Sequence, residues 1–330
     1  MRIKILGGGW YGCSIAEGFI HRGADVELHD IAPLLFSGAS GSNPARLHQG
    51  QHYPRSKLTR AFCQEHHGAF MARYGGLTRS VPVNLYAIAE ANSLVDFGTY
   101  QQVLRNEIEF ITVYDPSEFG LKNVEGAILT GERHIVIDEA RKYFTSVLSE
   151  VVHLGSDTSA ESEQDFDYII DCTFCSRDNI NIDRFEACVT YILAGPTERA
   201  VTIMDGPFPS LYPWNEAEGL SSLTSAKYTP IAKCPTWQEA NEVLQSADYQ
   251  SLMDNGQTMF EQLCHYWPQA SDMYEIISYR KAIRAMPKSA ADARLVDIVQ
   301  TGNNVLRVRA GKIDAVIHAE EQLWDMVNSQ

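Results

Sequence analysis

The sequence predicts an α/β protein: a parallel-sheet unit of dinucleotide-binding type, with an antiparallel sheet encoded in the middle of the chain. Three observations predict it. Residues 2–30 read strand, glycine turn, helix, turn, strand, with G-x-G-x-x-G at the first turn. A buried-strand pattern ending in small and polar residues recurs at Tyr168–Ile170. Between Phe185 and about Tyr228, alternating apolar and polar residues broken by turn sequences read as hairpins.

The first unit is "RIKILGGGWYGCSIAEGFIHRGADVELHD". Ile3, Ile5 and Leu6 make a short buried strand, and Gly7, Gly9 and Gly12 supply the fingerprint, with Trp10 and Tyr11 between the last two glycines. Ile15, Ala16, Phe19 and Ile20 recur at helical spacing, and Gly23 stops the helix. The first glycine permits a tight turn, the second lets a pyrophosphate approach the backbone, and the third lets helix and strand pack closely. The helix N-terminus offers unpaired N–H groups and partial positive charge to phosphates. Val26 and Leu28 form the second strand, which ends at Asp30, placed to accept hydrogen bonds from a ribose diol. This Rossmann-like pattern suits NAD and FAD alike.

The segment after Asp30 separates them. "FSGASGSNPARLHQGQHYPRS", Phe36 to Ser56, delivers small residues and then a dense polar run. Gly38-Ala39-Ser40, Ser42-Asn43 and then His48-Gln49-Gly50-Gln51-His52-Tyr53 resemble a segment of FAD-dependent oxidoreductases such as D-amino-acid oxidase, glycine oxidase and L-2-hydroxyglutarate dehydrogenase. The resemblance implies an FAD cofactor. Ser40, Ser42 and Asn43 would then sit toward the pyrophosphate and ribityl chain, and Arg46, Leu47, His48 and the residues to His52 toward the flavin ring. A flavin edge presents acceptors and donors that such a polar strip can satisfy. Arg46 and Arg55 depart from the family pattern, so no substrate is carried over.

Beyond the strip, Leu58–Tyr74 reads as a helix and Ser80–Glu90 as a strand, and short strands and a helix continue to about Thr130. "HIVIDEARKYFTSVL" predicts a strand and a helix capped by Asp138; "SDTSAESEQD" is a short acidic loop. After Tyr168–Ile170 the resemblance expects a small-residue turn at the cofactor. Asp171, Cys172 and Thr173 stand there without the usual glycine, with Thr173 as the contact. Asp205 and Phe208 in "DGPF" are candidates to roof a pocket. Trp237–Leu263 is helical with a break near Asp254-Asn255-Gly256, and "MYEIISYRKAIRAMP" reads as a long strand returning to the core.

The family interleaves its two domains. That implies an FAD-binding domain of residues 1–79, 134–184 and 276–330, and a substrate domain of 80–133 and 185–275. It further implies that Gly311, Lys312 and Ile313 open the last helix against the flavin pyrimidine edge, where positive charge stabilises the reduced ring. Lys312 is equally readable as a solvated turn lysine. On "SYRKAIR", Arg280 and Arg284 share a strand face, and an arginine there suits a substrate carboxylate or phosphate. A salt-bridged strand is the competing reading. Tyr212 and Tyr228 are further substrate-side candidates.

Composition bounds the function. A formal charge of −15 argues against general nucleic-acid binding, which needs a basic surface. No apolar run approaches the roughly 20 residues of a bilayer span. The chain enters a strand at Arg2 without a charged-then-apolar leader, and a cytoplasmic location is the expectation. Seven scattered cysteines read as buried free thiols, and the Cys172-Thr173-Phe174-Cys175 pair as structural. No metal site and no oligomeric state are predicted.

The expected activity is an FAD-dependent oxidoreductase, oxidase or dehydrogenase, taking a hydride from the CH–NH or CH–OH carbon of a small anionic substrate. An alcohol needs a base, for which His48 and His52 are candidates with Tyr53 beside them; an amine leaves these residues as flavin contacts. The alternatives are an NAD-dependent dehydrogenase and a flavoprotein whose flavin has a non-redox, mutase-like role.

Overall fold

The computed structural model describes residues 1–156, 165–177, 181–288 and 295–329; most of the acidic loop lies outside them. Strand β1 (Arg2–Leu6) runs into helix α1 (Trp10–His21), and Gly23, at φ +82°, turns the chain into β2 (Asp25–Asp30). The polar strip holds only the short β3 (Arg46–Leu47) before α2 (Lys57–Tyr74), which Ser56 caps. Then come β4 (Thr78–Ser80), β5 (Val83–Ala89), α3 (Phe97–Leu104), β6 (Ile111–Val113), β7 (Val124–Leu129) and β8 (Arg133–Ile135).

Helix α4 (Ile137–Val147) follows β8, and Asp138 lies inside its first turn, paired with Arg141; Val136 is the cap residue, which corrects the capping role expected of Asp138. Strands β9 (Val152–Leu154) and β10 (Tyr168–Asp171) complete the first half. The second half opens with β11 (Ile182–Ala194), β12 (Arg199–Met204), β13 (Pro209–Asn215), β14 (Leu220–Ser225) and β15 (Pro230–Cys234). Two helices, α5 (Trp237–Ser246) and α6 (Tyr249–Tyr266), replace the single broken one expected. They divide at Asp248, which caps α6. Gly256 lies inside α6 because the helix crosses the Tyr191 ring there, and a Cβ would come within 2.6 Å of it. The chain closes with α7 (Ala270–Met273), β16 (Glu275–Pro287), β17 (Asp297–Gln300), β18 (Val305–Arg309) and α8 (Val316–Asn328).

A six-stranded sheet has the order β17-β18-β10-β1-β2-β9, parallel except for the β17–β18 pair. Helices α1 and α8 pack together on it through Ile15, Phe19, Val316 and Leu323, all buried. A nine-stranded sheet has the order β15-β11-β14-β13-β12-β5-β7-β6, with β16 along β11. Its pairs are antiparallel except β12 with β5. The segment read as a long strand returning to the core is β16, which pairs with β11 from Glu275 to Pro287, inside the large sheet. A three-stranded sheet, β3-β8-β4, links the polar strip to the rest. Among the described residues no helix is long and apolar enough to cross a membrane.

Candidate active site

The carboxyl ends of β1 and β10, the polar strip and the large sheet enclose one cavity of about 1710 Å³. A single small ligand needs roughly 300–1,000 Å³, so the space suits a large cofactor together with a substrate.

The glycine turn is built as the fingerprint requires. A Cβ on Gly12 would lie 1.9 Å from the Gly7 carbonyl oxygen, so helix and strand touch there without room for a side chain. Gly7 takes φ +101°, and its added Cβ would meet the Cys172 carbonyl oxygen at 2.7 Å. The N-cap residue of α1, Gly9, has no side chain to cap it, and Trp10 N donates to Ser40 Oγ at 3.0 Å. The Asp30 carboxylate closes the loop, accepting from Gly8 N at 2.6 Å and Ala32 N at 2.8 Å. Each oxygen keeps a second lone pair for a ribose hydroxyl. Gly7, Gly9, Trp10, Tyr11 and Asp30 line the cavity, whereas Gly12 sits behind it.

The strip places Ser40, Ser42, Asn43, Arg46, His48, His52 and Tyr53 on the cavity wall. Asn43 also holds its own turn, donating to Ala39 O and accepting from Ala45 N. Leu47 faces the buried core instead of the cavity. Arg46 is 8% exposed and stacks over the Tyr212 ring at 4.5 Å. Its guanidinium donates to Thr202 Oγ1 and Ser210 Oγ of the large sheet, and its Nε has no hydrogen-bond partner. His48, His52 and Tyr53 form one ring cluster with centroids 5.1–5.3 Å apart. His52 Nδ1 is shielded from solvent and has no partner; desolvation, then His48 and Arg46, hold the ring well below the usual histidine range. A neutral ring is the result.

At the other wall, Tyr11 Oη donates to Lys312 O at 2.6 Å and accepts from Gly311 N at 3.2 Å. Gly311, Lys312 and Ile313 line the cavity, and Lys312 Nζ lies 4.3 Å from the Tyr53 ring centroid. Lys312 is thus half-buried in the chamber wall. Desolvation lowers its pKa to about 8, and burial raises that of Asp314 beside it to about 7. Thr173 lines the wall and bonds Asp171 Oδ1 through both N and Oγ1. Where the family glycine was expected, Phe174 and Cys175 both take positive φ, 57° and 61°. Burial pushes the Cys172 and Cys175 thiols up, which fits a structural pair.

The substrate-side candidates divide. Asp205 and Phe208 line the cavity, and Arg55 reaches across to pair with Asp205. Tyr212 supports Arg46 from beneath and accepts from Asn84 Nδ2 at 2.8 Å. Tyr228 packs under Lys227 and is not on the wall. Arg280 is exposed and off the cavity, whereas Arg284, on the same face of β16, lines it, paired with Glu186. Sequence reasoning missed Glu132. This buried carboxylate accepts from Tyr86 Oη and Gln49 N, with His48 Nδ1 3.4 Å away. A lone glutamate between two strands carries no spacing signal. At the edge of the cavity, which His29 lines, Glu27, His29 and His153 bring ligand-type atoms within 4.8 Å, but Arg2 already donates to Glu27 and the two imidazoles stack.

The residues fit a bound dinucleotide. The glycine cradle, the N-terminus of α1 and the partnerless His52 Nδ1 are the features such a ligand satisfies, and the partnerless Arg46 Nε is left for a further group beside it.

No family model matches the sequence. The chain is 31% identical over 339 residues to the FAD-dependent monooxygenase FPY4 of Fusarium mangiferae, covering 99% of this chain and 91% of that protein. Among solved structures it resembles glycine oxidase from Geobacillus kaustophilus, with TM-score 0.71 at 10% identity over 100% of this chain and 95% of that one. It also resembles L-α-glycerophosphate oxidase from Mycoplasma pneumoniae with FAD bound, with TM-score 0.70 at 13% identity over 99% and 94%. These structural likenesses carry the fold.

Proposed function

We propose that this chain, which belongs with FAD-dependent monooxygenases such as FPY4 and shares the fold of glycine oxidase, oxidises a small anionic substrate held between the flavin and the large sheet. One observation carries the substrate class. Eleven lysines and arginines line the cavity against four carboxylates, in a chain with 27 basic and 42 acidic residues. Two phosphates of FAD account for only part of that excess, and the remainder favours an anion.

FAD, when bound, accepts the two electrons of the substrate bond. The chain's residues do the rest. Gly7, Gly9 and the start of α1 receive the pyrophosphate, and Asp30 receives the ribose. Arg46, Lys312 and Tyr53 wall the chamber with two cations, which orient an anion and favour negative charge in the low-dielectric interior. His52 is neutral, and His48 stands beside it to hold a proton. Hydride removal from a CH–OH or CH–NH carbon is the reading these groups support best. The name of FPY4 favours oxygen insertion as a second reading. An NAD-dependent dehydrogenase no longer fits, since the family uses FAD.

Anaerobic mixing separates the readings. The protein carrying FAD is mixed with a panel of 2-hydroxy acids, amino acids and their neutral amides, and separately with NADPH alone. Bleaching of the flavin by acids and not by amides is expected. Bleaching by NADPH alone supports oxygen insertion, and no bleaching by either supports a non-redox role; both overturn the proposal.

A further inference from the structure

We propose that Thr190 and Thr224 are specificity-determining residues: with Arg46 they form a polar row across the roof of the cavity that selects an anion carrying hydroxyl groups along its chain, a polyhydroxy acid. This rests on the reading that an anion is held between the flavin and the large sheet.

The row follows from strand alternation, because successive side chains on a strand point to opposite faces of a sheet. On one face of the large sheet, Val189, Tyr191, Val201, Leu211 and Leu223 are buried in an apolar core shared with helices α5 and α6. On the other face, Thr190, Thr202, Ser210 and Thr224 line the cavity. Thr202 pairs with Ser210 across β12 and β13, and Ser210 pairs with Thr224 across β13 and β14. Thr190 on β11 precedes Tyr191, whose partner is Leu223, the residue before Thr224. One hydroxyl residue from each of the neighbouring strands β12, β13, β14 and β11 thus stands in line. The polar face of an antiparallel sheet ordinarily meets bulk water. This one roofs the cavity.

The two halves of the row differ in what they have left to offer. Thr202 Oγ1 and Ser210 Oγ bond each other at 2.8 Å, and both accept from the Arg46 guanidinium. They seat the cation at one end. Thr190 and Thr224 make no side-chain hydrogen bond among the described residues, and neither hydroxyl is shut off from the cavity. Strands lie about 4.8 Å apart, so these two stand roughly 5 and 10 Å along the roof from Ser210. An anion seated on Arg46, with its chain running along the roof, passes both. A threonine hydroxyl donates one hydrogen bond and accepts others, which suits alcohol groups on that chain. An apolar chain would cover the hydroxyls and leave them unpaired, the loss by which a hydrogen-bonding site rejects an analogue without the matching group.

The test is calorimetric titration, without oxygen, of the FAD-loaded full-length protein with D-gluconate and with hexanoate, which has the same carbon chain without the hydroxyls. D-Gluconate is expected to bind tighter by roughly tenfold or more. Thr190→Val combined with Thr224→Val removes both hydroxyls at nearly constant shape, and is expected to abolish the difference by weakening D-gluconate. Thr190→Ser combined with Thr224→Ser keeps the hydroxyls and is expected to keep the preference. Hexanoate binding as tightly as D-gluconate to the wild type overturns the proposal, and so does an unchanged preference in the valine variant. The wild-type comparison decides the matter even where the valine variant does not fold. Tight hexanoate binding strikes the row alone and leaves the anion reading standing, whereas binding of neither acid strikes both.

Discussion

Tyr11 and Lys312, 301 residues apart, are joined by a 2.6 Å hydrogen bond from the Tyr11 hydroxyl to the Lys312 carbonyl. The residue just before the last fingerprint glycine thereby holds the C-terminal turn against helix α1, to which phosphate binding is proposed. The two ends of the chain make one wall of the cavity.

Tyr11→Phe removes that bond and leaves Gly311 N without its acceptor. The expected loss is about 1–3 kcal/mol of stability. The affinity for FAD falls as well, because the turn at 311–313 loses its anchor. Denaturant unfolding of the apoprotein and FAD titration check the two effects. Unchanged affinity would separate the turn from the cofactor.

Gly12→Ala places a methyl 1.9 Å from the Gly7 oxygen, a backbone atom that cannot move aside cheaply. Overpacking of this kind costs about 1–3 kcal/mol. Purified Gly12→Ala is expected colourless, with FAD not regained on reconstitution, while Gly68→Ala on the open face of α2 stays yellow.

Much of this site was legible in the sequence for a physical reason. A glycine turn, a carboxylate ending the second strand and a polar strip are local patterns, and local patterns survive reading without coordinates. The partners of Arg46 are not local: Thr202 and Ser210 reach it from two strands more than 150 residues away. Nor is the place of β16, whose alternation is the same whichever sheet it joins; its pairing with β11 is a long-range choice. Arg280 was misplaced with it. Glu132 was invisible because burial, not spacing, makes it informative.

Arg46→Met keeps the length of the side chain and removes a buried cation beside the ring cluster. With Thr202 and Ser210 left to bond each other at 2.8 Å, the protein is expected to fold and retain FAD. Binding of small carboxylates, followed as perturbation of the flavin spectrum, should weaken at least tenfold, about 1.4 kcal/mol. An unchanged dissociation constant would remove Arg46 from substrate binding.

Asp314 gives the stability of the apoprotein a pH dependence. Burial raises its folded pKa from the ordinary 3.8 to about 7, so the folded state holds a proton that the unfolded state has released. That contribution is complete below about pH 3.8 and is lost as pH rises to 7. Asp314→Asn carries no such proton and should flatten the limb. Thermal unfolding of both proteins from pH 5 to 7.5 measures it, and parallel curves would contradict the assignment.

The most direct measurement is a crystal structure of the yellow protein soaked with a small carboxylate. The isoalloxazine is expected between the strip from Arg46 to Tyr53 and the turn at Gly311–Ile313, with the carboxylate on its large-sheet side within hydrogen-bond distance of Arg46. A flavin bound elsewhere, or a carboxylate found only on the exposed Arg280, would contradict a chamber that holds both.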